Sequence, residues 1–556
     1  MKSAVRELID KYLPEFSRSA SIDLPKDFEY DLEHPKKKEH GDIACNFAFR
    51  LAKSVKQNPV QVAEKAKLFF LEASRKDSQF NKTIRDIQVA GPGFLNFFLT
   101  EDSLTQVLKT IWSEKDHFGD TDFGKGEKVI VEFVSANPTG PLTIAHGRQA
   151  VVGDALGRLL AKTGHKVHRE YYLNDRGVQI QTLGLSVYLR YLELLGDKRE
   201  FPEKGYQGGY IRDLAKTVLD KDGDRFQKMP EAEALSWFSK HAADTILDDI
   251  RKDLARLGVT FDEYFSEQTL GEKKMIDRAL AELKKRGFTF ENEGALWFRS
   301  TDFGDDKDRV LIKSNGEFTY LTPDIAYHEE KFKRGYQRIV NLWGPDHHGY
   351  VPRVKAACQA LGHNPDMVNV LIVQLTTLFR NGEPVRMSTR AGEFVTLKEL
   401  MDEVGVDATR FFFLMRKIES HLDFDLELAK QKSDENPVFY VQYAHARISN
   451  ILKFAEVQVD SNANLDLIRE SEELEVVKFL TSYPEYLNQA AEYLEPYRVI
   501  DYLRELSALF HKFYAHHRVV NPDPELTKAR LFLVACIQRV LRNGLTVLGV
   551  SAPDQM

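Results

Sequence analysis

His146 and Gly147 stand where a loop gives way to a helical repeat, a position at which unpaired backbone amides and a helix dipole favour a phosphate or a developing anion. A histidine there could neutralise charge. The loop before it, Ser135 to Thr143, contains Asn137, Pro138, Gly140 and Pro141, which permit neither helix nor ladder, so its amides are expected to be exposed. Adjacent His347 and His348 invite a metal reading. Alternate side chains diverge and no further ligand spacing follows, so no structural zinc is expected. Cys45, Cys358 and Cys536 lie far apart without a C-x-x-C pair, which argues against a disulfide framework and fits a reducing, cytoplasmic setting.

The elements that must position these residues follow from periodicity. Lys128 to Val134 is β-branched and aromatic with one Glu, as a strand of a parallel sheet should be. From Ile144, the residues Val151, Val152, Ala155, Leu156, Leu159 and Leu160 recur at helical spacing, and Gly164 sits where a C-cap belongs. A second strand, Val167 to Leu173, completes a βαβ unit whose loop lies at the carboxyl edge of the sheet, a nucleotide site. Short strands at Ala295–Phe298, Arg309–Lys313, Ile339–Leu342 and Val368–Thr376 are expected to complete that sheet, the last leading into the hairpin signal Asn381-Gly382. Residues 185 to 290 carry helical periodicity broken by a Gly-rich loop at Gly205 to Gly209, which predicts a helical insertion acting as a lid or connective subdomain. Thr396 and Glu399 form a capping box opening a further helix.

The reading is therefore of an α/β protein in three parts. A small α+β domain occupies residues 1–115, with a helix near Asp42 to Lys53 and a strand at Val89 to Leu99; a Rossmann-type parallel-sheet domain follows over 116–400, and residues 401–556 read as an all-α bundle without strand signal. At 556 residues the chain exceeds one core. No uninterrupted apolar run reaches membrane length, the N-terminus reads as neither signal nor transit peptide, and a monomer off the membrane is expected. A net charge of −7 means that any RNA partner must meet local basic patches, of which the Lys36 to Lys38 run is one.

The segment A-N-P-T-G-P-L-x-x-x-H-G-R, which includes Ala136, Asn137, Pro138, Gly140, Pro141 and His146, resembles the first signature of class I aminoacyl-tRNA synthetases, and its flanks resemble the arginyl-tRNA synthetase family, bacterial type. The family's His-x-Gly-His core reads here Thr143, Ile144, Ala145, His146, so the first His and the Gly are replaced. Val385 to Leu397 is similar to the second signature, Lys-Met-Ser-Lys-Ser: Arg386, Met387 and Ser388 match, Thr389 replaces the second Lys, and Arg390 follows. Tyr320 and Asp324, in T-Y-L-T-P-D-I-A-Y-H, match the family's side-chain-recognition segment, while G-P-G-F-L-N-F-F-L and F-Y-V-Q-Y-A-H-A-R-I resemble its N-terminal and anticodon-binding domains.

The resemblance implies activation of L-arginine with ATP and Mg²⁺ and its transfer to the 3′ end of tRNA(Arg). It assigns His146, Arg386 and Ser388 to catalysis, and Thr143, Gly147 and Met387 with them to ATP. It gives Glu132, Ser135, Asn137, Tyr320, Asp324 and His348 to arginine, the Asp324 carboxylate taking the guanidinium fork. Tyr440, Tyr443, His445 and Arg447 would meet the tRNA, being types that stack bases and pair phosphates. Asp324 would otherwise be a helix N-cap. Two rivals stand beside this reading: a small nucleotidylyltransferase, which would lack so large a helical domain, and a non-catalytic tRNA-binding paralogue, suggested by Thr143.

Overall fold

The computed structural model describes residues 2–26, 28–35, 38–385 and 395–556. Its centre is a five-stranded sheet of β1 (Lys128–Glu132), β2 (Lys166–Leu173), β3 (Glu263–Ser266), β4 (Arg338–Trp343) and β5 (Val368–Ile372), in the order β5-β4-β1-β2-β3. Every neighbouring pair is parallel. Both faces are covered: Val129 and Val131 join the main core, whereas Ile130 packs with Ile339, Val354, Cys358 and Val368. The chain order runs outward in both directions from β1 and β4, so the switch point that opens a ligand crevice lies between those two strands.

Several elements differ from the sequence reading, among them Val368–Thr376, where the sheet strand ends at Ile372 and Thr376 opens a strand of another sheet. β3 lies within the stretch read as a helical insertion and forms one edge of the sheet. Ala295–Phe298 and Arg309–Ile312 pair antiparallel in a separate three-stranded sheet with Thr289–Asn292, because strand propensity says nothing of which partner a strand finds. The segment expected to be one strand from Val89 to Leu99 is a hairpin, Ile84–Ala90 and Phe94–Leu99, turning at Gly91-Pro92-Gly93. Leu422–Asp425, in the stretch read as purely helical, pairs in parallel with Thr376–Arg380. The Asn381-Gly382 turn is present, with φ of +53° and +79° joining Thr376–Arg380 to Glu383–Pro384.

The helices used below are α1 (Ile144–Lys162), α2 (Gly209–Asp222), α3 (Glu231–Arg256), α4 (Leu321–Lys333), α5 (Leu397–Val404), α6 (Val406–Leu414), α7 (Pro437–Phe454), α8 (Tyr497–His516) and α9 (Pro524–Leu548). Thr396 caps α5 with Glu399 reaching back to its amide, the expected capping box. α9 is long and apolar enough to cross a membrane by length and composition, a point passed over in the sequence, but 78% of its most apolar window is buried inside the protein. One apolar cluster runs from Val5 through Val131 and Leu156 to Val550, so the N-terminal, sheet and bundle regions share a core.

Candidate active site

The strand that begins the site ends in an unusual way. After Glu132 the backbone turns through Val134 (φ +67°) and Ser135 (φ +41°), two consecutive non-glycine residues in the left-handed region, a costly choice for a β-branched valine. Hydrogen bonds hold the turn. Ser135 Oγ donates to Glu132 Oε1 at 3.1 Å and accepts the Tyr172 N–H at 3.1 Å, and the Tyr171 hydroxyl donates to the Ala136 carbonyl at 2.6 Å. Further along, Asn137 Nδ2 donates to Gln179 Oε1 at 2.7 Å, and the hydroxyl of Tyr210, in the first turn of α2, donates to the Thr139 carbonyl at 2.8 Å. The insertion thus clamps the loop directly.

At the start of α1, Thr143 is the N-cap and its N–H donates to His146 Nδ1 at 3.2 Å. That bond makes Nδ1 the acceptor and leaves Nε2 to carry the proton. Burial pushes the His146 pKa down to about 4, so the ring is neutral at pH 7. The sequence expectation of a charge-neutralising histidine is corrected accordingly: His146 offers a hydrogen bond, and the positive character here is that of the helix terminus. Gly147 is corrected too. Its N–H donates to the Thr143 carbonyl, and a Cβ would come within 2.7 Å of Leu397 and 3.1 Å of Phe413, so a glycine is needed there for helix packing and its amide is not available to ATP. Arg148, directly after Gly147, is fully buried and donates to the carbonyls of Gln374, Lys417 and Ser420, fastening α1 to the segments that lead into the paired strands Thr376–Arg380 and Leu422–Asp425. Such a buried cation is costly to truncate.

Acidic side chains gather beside Glu132, at the end of β1. Asp324 lies in the first turn of α4 and accepts the Tyr350 hydroxyl at 2.9 Å, while the N-cap of that helix is Tyr320, so Asp324 does not serve as the cap. Solvent still reaches part of the residue, as a binding pocket requires, but protein surrounds the carboxylate. Burial, with the nearby charges of Glu132 and Glu267, pushes its pKa up to about 7. Burial likewise raises Glu267, which follows β3. Glu132 is already partnered, because Lys331, fully buried, donates to it at 2.5 Å and to Asn341 at 2.9 Å across the β1–β4 switch point. Among the described residues, Asp324, Glu267 and Glu132 face only Lys331 and Arg176, so the cluster stays net acidic, a complement for a cation.

Of the other residues singled out from sequence, Glu132, Ser135 and Asn137 are brought to this edge. Tyr320 is 79% exposed one turn before Asp324, and His348 is exposed in the turn after β4 whose Tyr350 reaches Asp324. Arg386, Met387 and Ser388, with Thr389 and Arg390, lie outside the described residues, as do Lys36 and Lys37. Sequence reasoning missed Tyr350, Lys331 and Glu267; only Tyr350, directly after the histidine-rich turn, carried a signal. Among the described residues, His168, Glu170 and Glu263 approach the spacing of a metal site, but Arg334 donates to both Glu170 and Glu263 and supplies the positive charge there.

In the bundle, Tyr440, Tyr443 and Arg447 share one face of α7 at i, i+3 and i+7. Tyr440 and Tyr443 meet the His511 ring, and the Arg447 guanidinium lies 4.4 Å from the Tyr514 ring, both partners being on α8. A cavity of about 600 Å³ opens there between Arg447, Phe454, Tyr514 and Arg518. His445 is on another face, fully buried and bonded through Nδ1 to the Pro553 carbonyl at 2.9 Å, so it is a core residue and cannot meet RNA.

Three family profiles match the chain: "Arginyl tRNA synthetase N terminal domain" over residues 3–99, "tRNA synthetases class I (R), catalytic domain" over 107–417 and "DALR anticodon binding domain" over 441–556. The chain is similar over its full length to the arginine–tRNA ligase of Syntrophotalea carbinolica, at 48% identity and 100% of both chains. It is 50% identical to that of Geobacter sp. strain M21 over 95% of each. Among solved structures, a putative arginyl-tRNA synthetase from Campylobacter jejuni superposes with a TM-score of 0.77 at 36% identity, covering 82% of this chain and 100% of that one. Thermus thermophilus arginyl-tRNA synthetase, at 22% identity over 99% of this chain and 100% of its own, shares the fold with a TM-score of 0.75. The chain belongs to the arginyl-tRNA synthetases of class I.

Proposed function

We propose that the protein is an arginine–tRNA ligase of the cytoplasm that activates L-arginine with ATP as its Mg²⁺ complex and passes the arginyl group to the 3′ end of tRNA(Arg), releasing pyrophosphate and AMP. The observation that carries this reading is the gathering of Asp324 and Glu267 beside Glu132 at the end of β1, the strand that leads into the His146 helix start, an acid-rich cluster that complements a guanidinium. Asp324 and Glu267 take the guanidinium, Tyr350 orients Asp324, and Glu132, Ser135 and Asn137 shape the backbone end of the pocket. The arginine carboxylate then attacks the α-phosphate in line. His146 Nε2–H and the first-turn amides of α1 stabilise the charge that develops, and Arg386 and Ser388 of the basic loop are assigned to the same phosphates by their match to the second signature. Tyr440, Tyr443 and Arg447 hold the RNA. The monomeric enzyme is divided near residues 115 and 400.

A guanidinium needs Asp324 ionised, whereas the free carboxyl is half-protonated near pH 7. Arginine binding is therefore expected to release a proton and to weaken as pH falls, with KM for arginine about tenfold higher at pH 6 than at pH 8. A flat KM profile over that range would remove Asp324 from the pocket. The reading as a whole is tested by arginine-dependent ATP–pyrophosphate exchange. Exchange with saturating tRNA is expected, and little in nuclease-treated, tRNA-free buffer, as binding energy from the remote RNA is used to assemble the site. No exchange under either condition would favour the non-catalytic paralogue, and tRNA-free exchange within about threefold of the saturated rate would rule out the coupling.

A further inference from the structure

Four segments of the chain converge on one buried guanidinium. Arg410, on α6, is fully buried. Its Nη1 donates to the Leu257 carbonyl just beyond α3 at 2.9 Å, its Nε and Nη2 donate to the Leu548 carbonyl at the end of α9 at 3.0 and 2.8 Å, and Nη2 also donates to Asp154 Oδ2 on α1 at 2.5 Å. Both carbonyls belong to helix C-termini, where intrahelical donors have run out and the dipole is negative. One cation thus serves two helix ends and a carboxylate. Gly549 closes α9 at φ +67°, and a Cβ there would come within 2.2 Å of Arg410 Nη2, so only glycine lets that helix end reach the guanidinium.

Asp154 is eight residues beyond His146 on α1, about 12 Å by the helical rise. Its Oδ2 also accepts Arg158 Nε at 2.8 Å, and Arg158 Nη2 continues to the Gly258 carbonyl at 3.0 Å, so the end of the insertion is gripped twice. Asp154 Oδ1 is buried and accepts no hydrogen bond, which leaves the carboxylate an unused acceptor with which to follow the guanidinium if α6 shifts. A buried ion pair is costly to separate, so Arg410 and Asp154 tie α6 to α1, while hydrogen bonds to the Leu548 carbonyl tie α6 to the end of α9.

We propose that Arg410 and Asp154 are positioning residues through which RNA held on the C-terminal bundle sets α1, and with it His146, for the reaction at the sheet edge. The inference rests on reading the bundle as the anticodon-binding part. Steady-state aminoacylation by the full-length enzyme tests it, using native tRNA and the same tRNA with its anticodon replaced, for wild type, Arg410→Lys and Asp154→Asn. In wild type, the altered anticodon is expected to lower kcat. In either variant kcat with native tRNA should fall tenfold or more while KM for tRNA stays within about threefold. Altering the anticodon should then raise KM without lowering kcat further. Losses in kcat that multiply instead, or a wild-type kcat indifferent to the anticodon, would overturn the proposal while leaving the ligase reading intact. If thermal melts show that neither variant folds, the joint is structural and the proposal is overturned; a wild-type enzyme that charges no tRNA at all overturns both readings before any variant is made.

Discussion

Replacing Asp324 with Asn is expected to raise KM for arginine by roughly thirtyfold to several thousandfold, because removing one partner of a desolvated charge pair costs on the order of 2 to 5 kcal/mol. The same change should make the free protein more stable. The folded carboxyl holds its proton up to about pH 7, whereas an unfolded one releases it near its ordinary value, so the folded state is penalised progressively as pH rises through that interval. At pH 8 the penalty is on the order of 2 to 4 kcal/mol, the upper end lowered because solvent reaches the residue. Asn, never charged, escapes it. Melting temperature should therefore rise at pH 8 and the gain should shrink at pH 5, the opposite of what loss of a structural salt bridge would give. Unchanged arginine kinetics would mean that Asp324 is not a ligand, since Asn serves as well in any local capping role.

Removing His146 is expected to lower adenylate formation by roughly 10² or more while arginine KM changes little, the size typical of losing one preorganised donor to a developing anion. Because Nδ1 accepts the Thr143 amide and burial holds the ring neutral, kcat should show no limb between pH 6 and 8 attributable to this histidine. The pH dependence in that range belongs to KM and to Asp324. A turnover number unaltered in His146→Ala would end the assignment. Restoring a second imidazole with Thr143→His should not raise the rate tenfold, since Thr143 Oγ1, 3.2 Å from His146 Nδ1, belongs to the cap that presents His146.

What the sequence made legible was local in origin. The change from period two to period 3.6 across a Pro/Gly loop marked β1, the loop, α1 and β2, and the capping box at Thr396 and the turn at Asn381-Gly382 each depend on neighbouring residues alone. What it hid was tertiary. β3 is four residues long and surrounded by helices, so nothing in its own pattern announced an edge strand, and Glu267 went unnoticed with it. Tyr440, Tyr443 and Arg447 share a face at helical spacing, and the same spacing would have set His445 aside. Lys331 carries no motif at all; its role exists only because β1 and β4 bring Glu132 and Asn341 side by side.

The joint at Arg410 also has a consequence for how the molecule is made. Leu548, which supplies two of its hydrogen bonds, lies 138 residues further along the chain. At translation speeds of about 5 to 20 residues per second, Arg410 waits on the order of ten seconds on the ribosome before that acceptor exists. Until then the guanidinium is only partly satisfied, held by Leu257 and Asp154 without its Leu548 acceptor. A chain released before Leu548 is made thus holds Asp324, Glu267 and His146 in its sequence but leaves two hydrogen bonds of the Arg410 guanidinium without their acceptor.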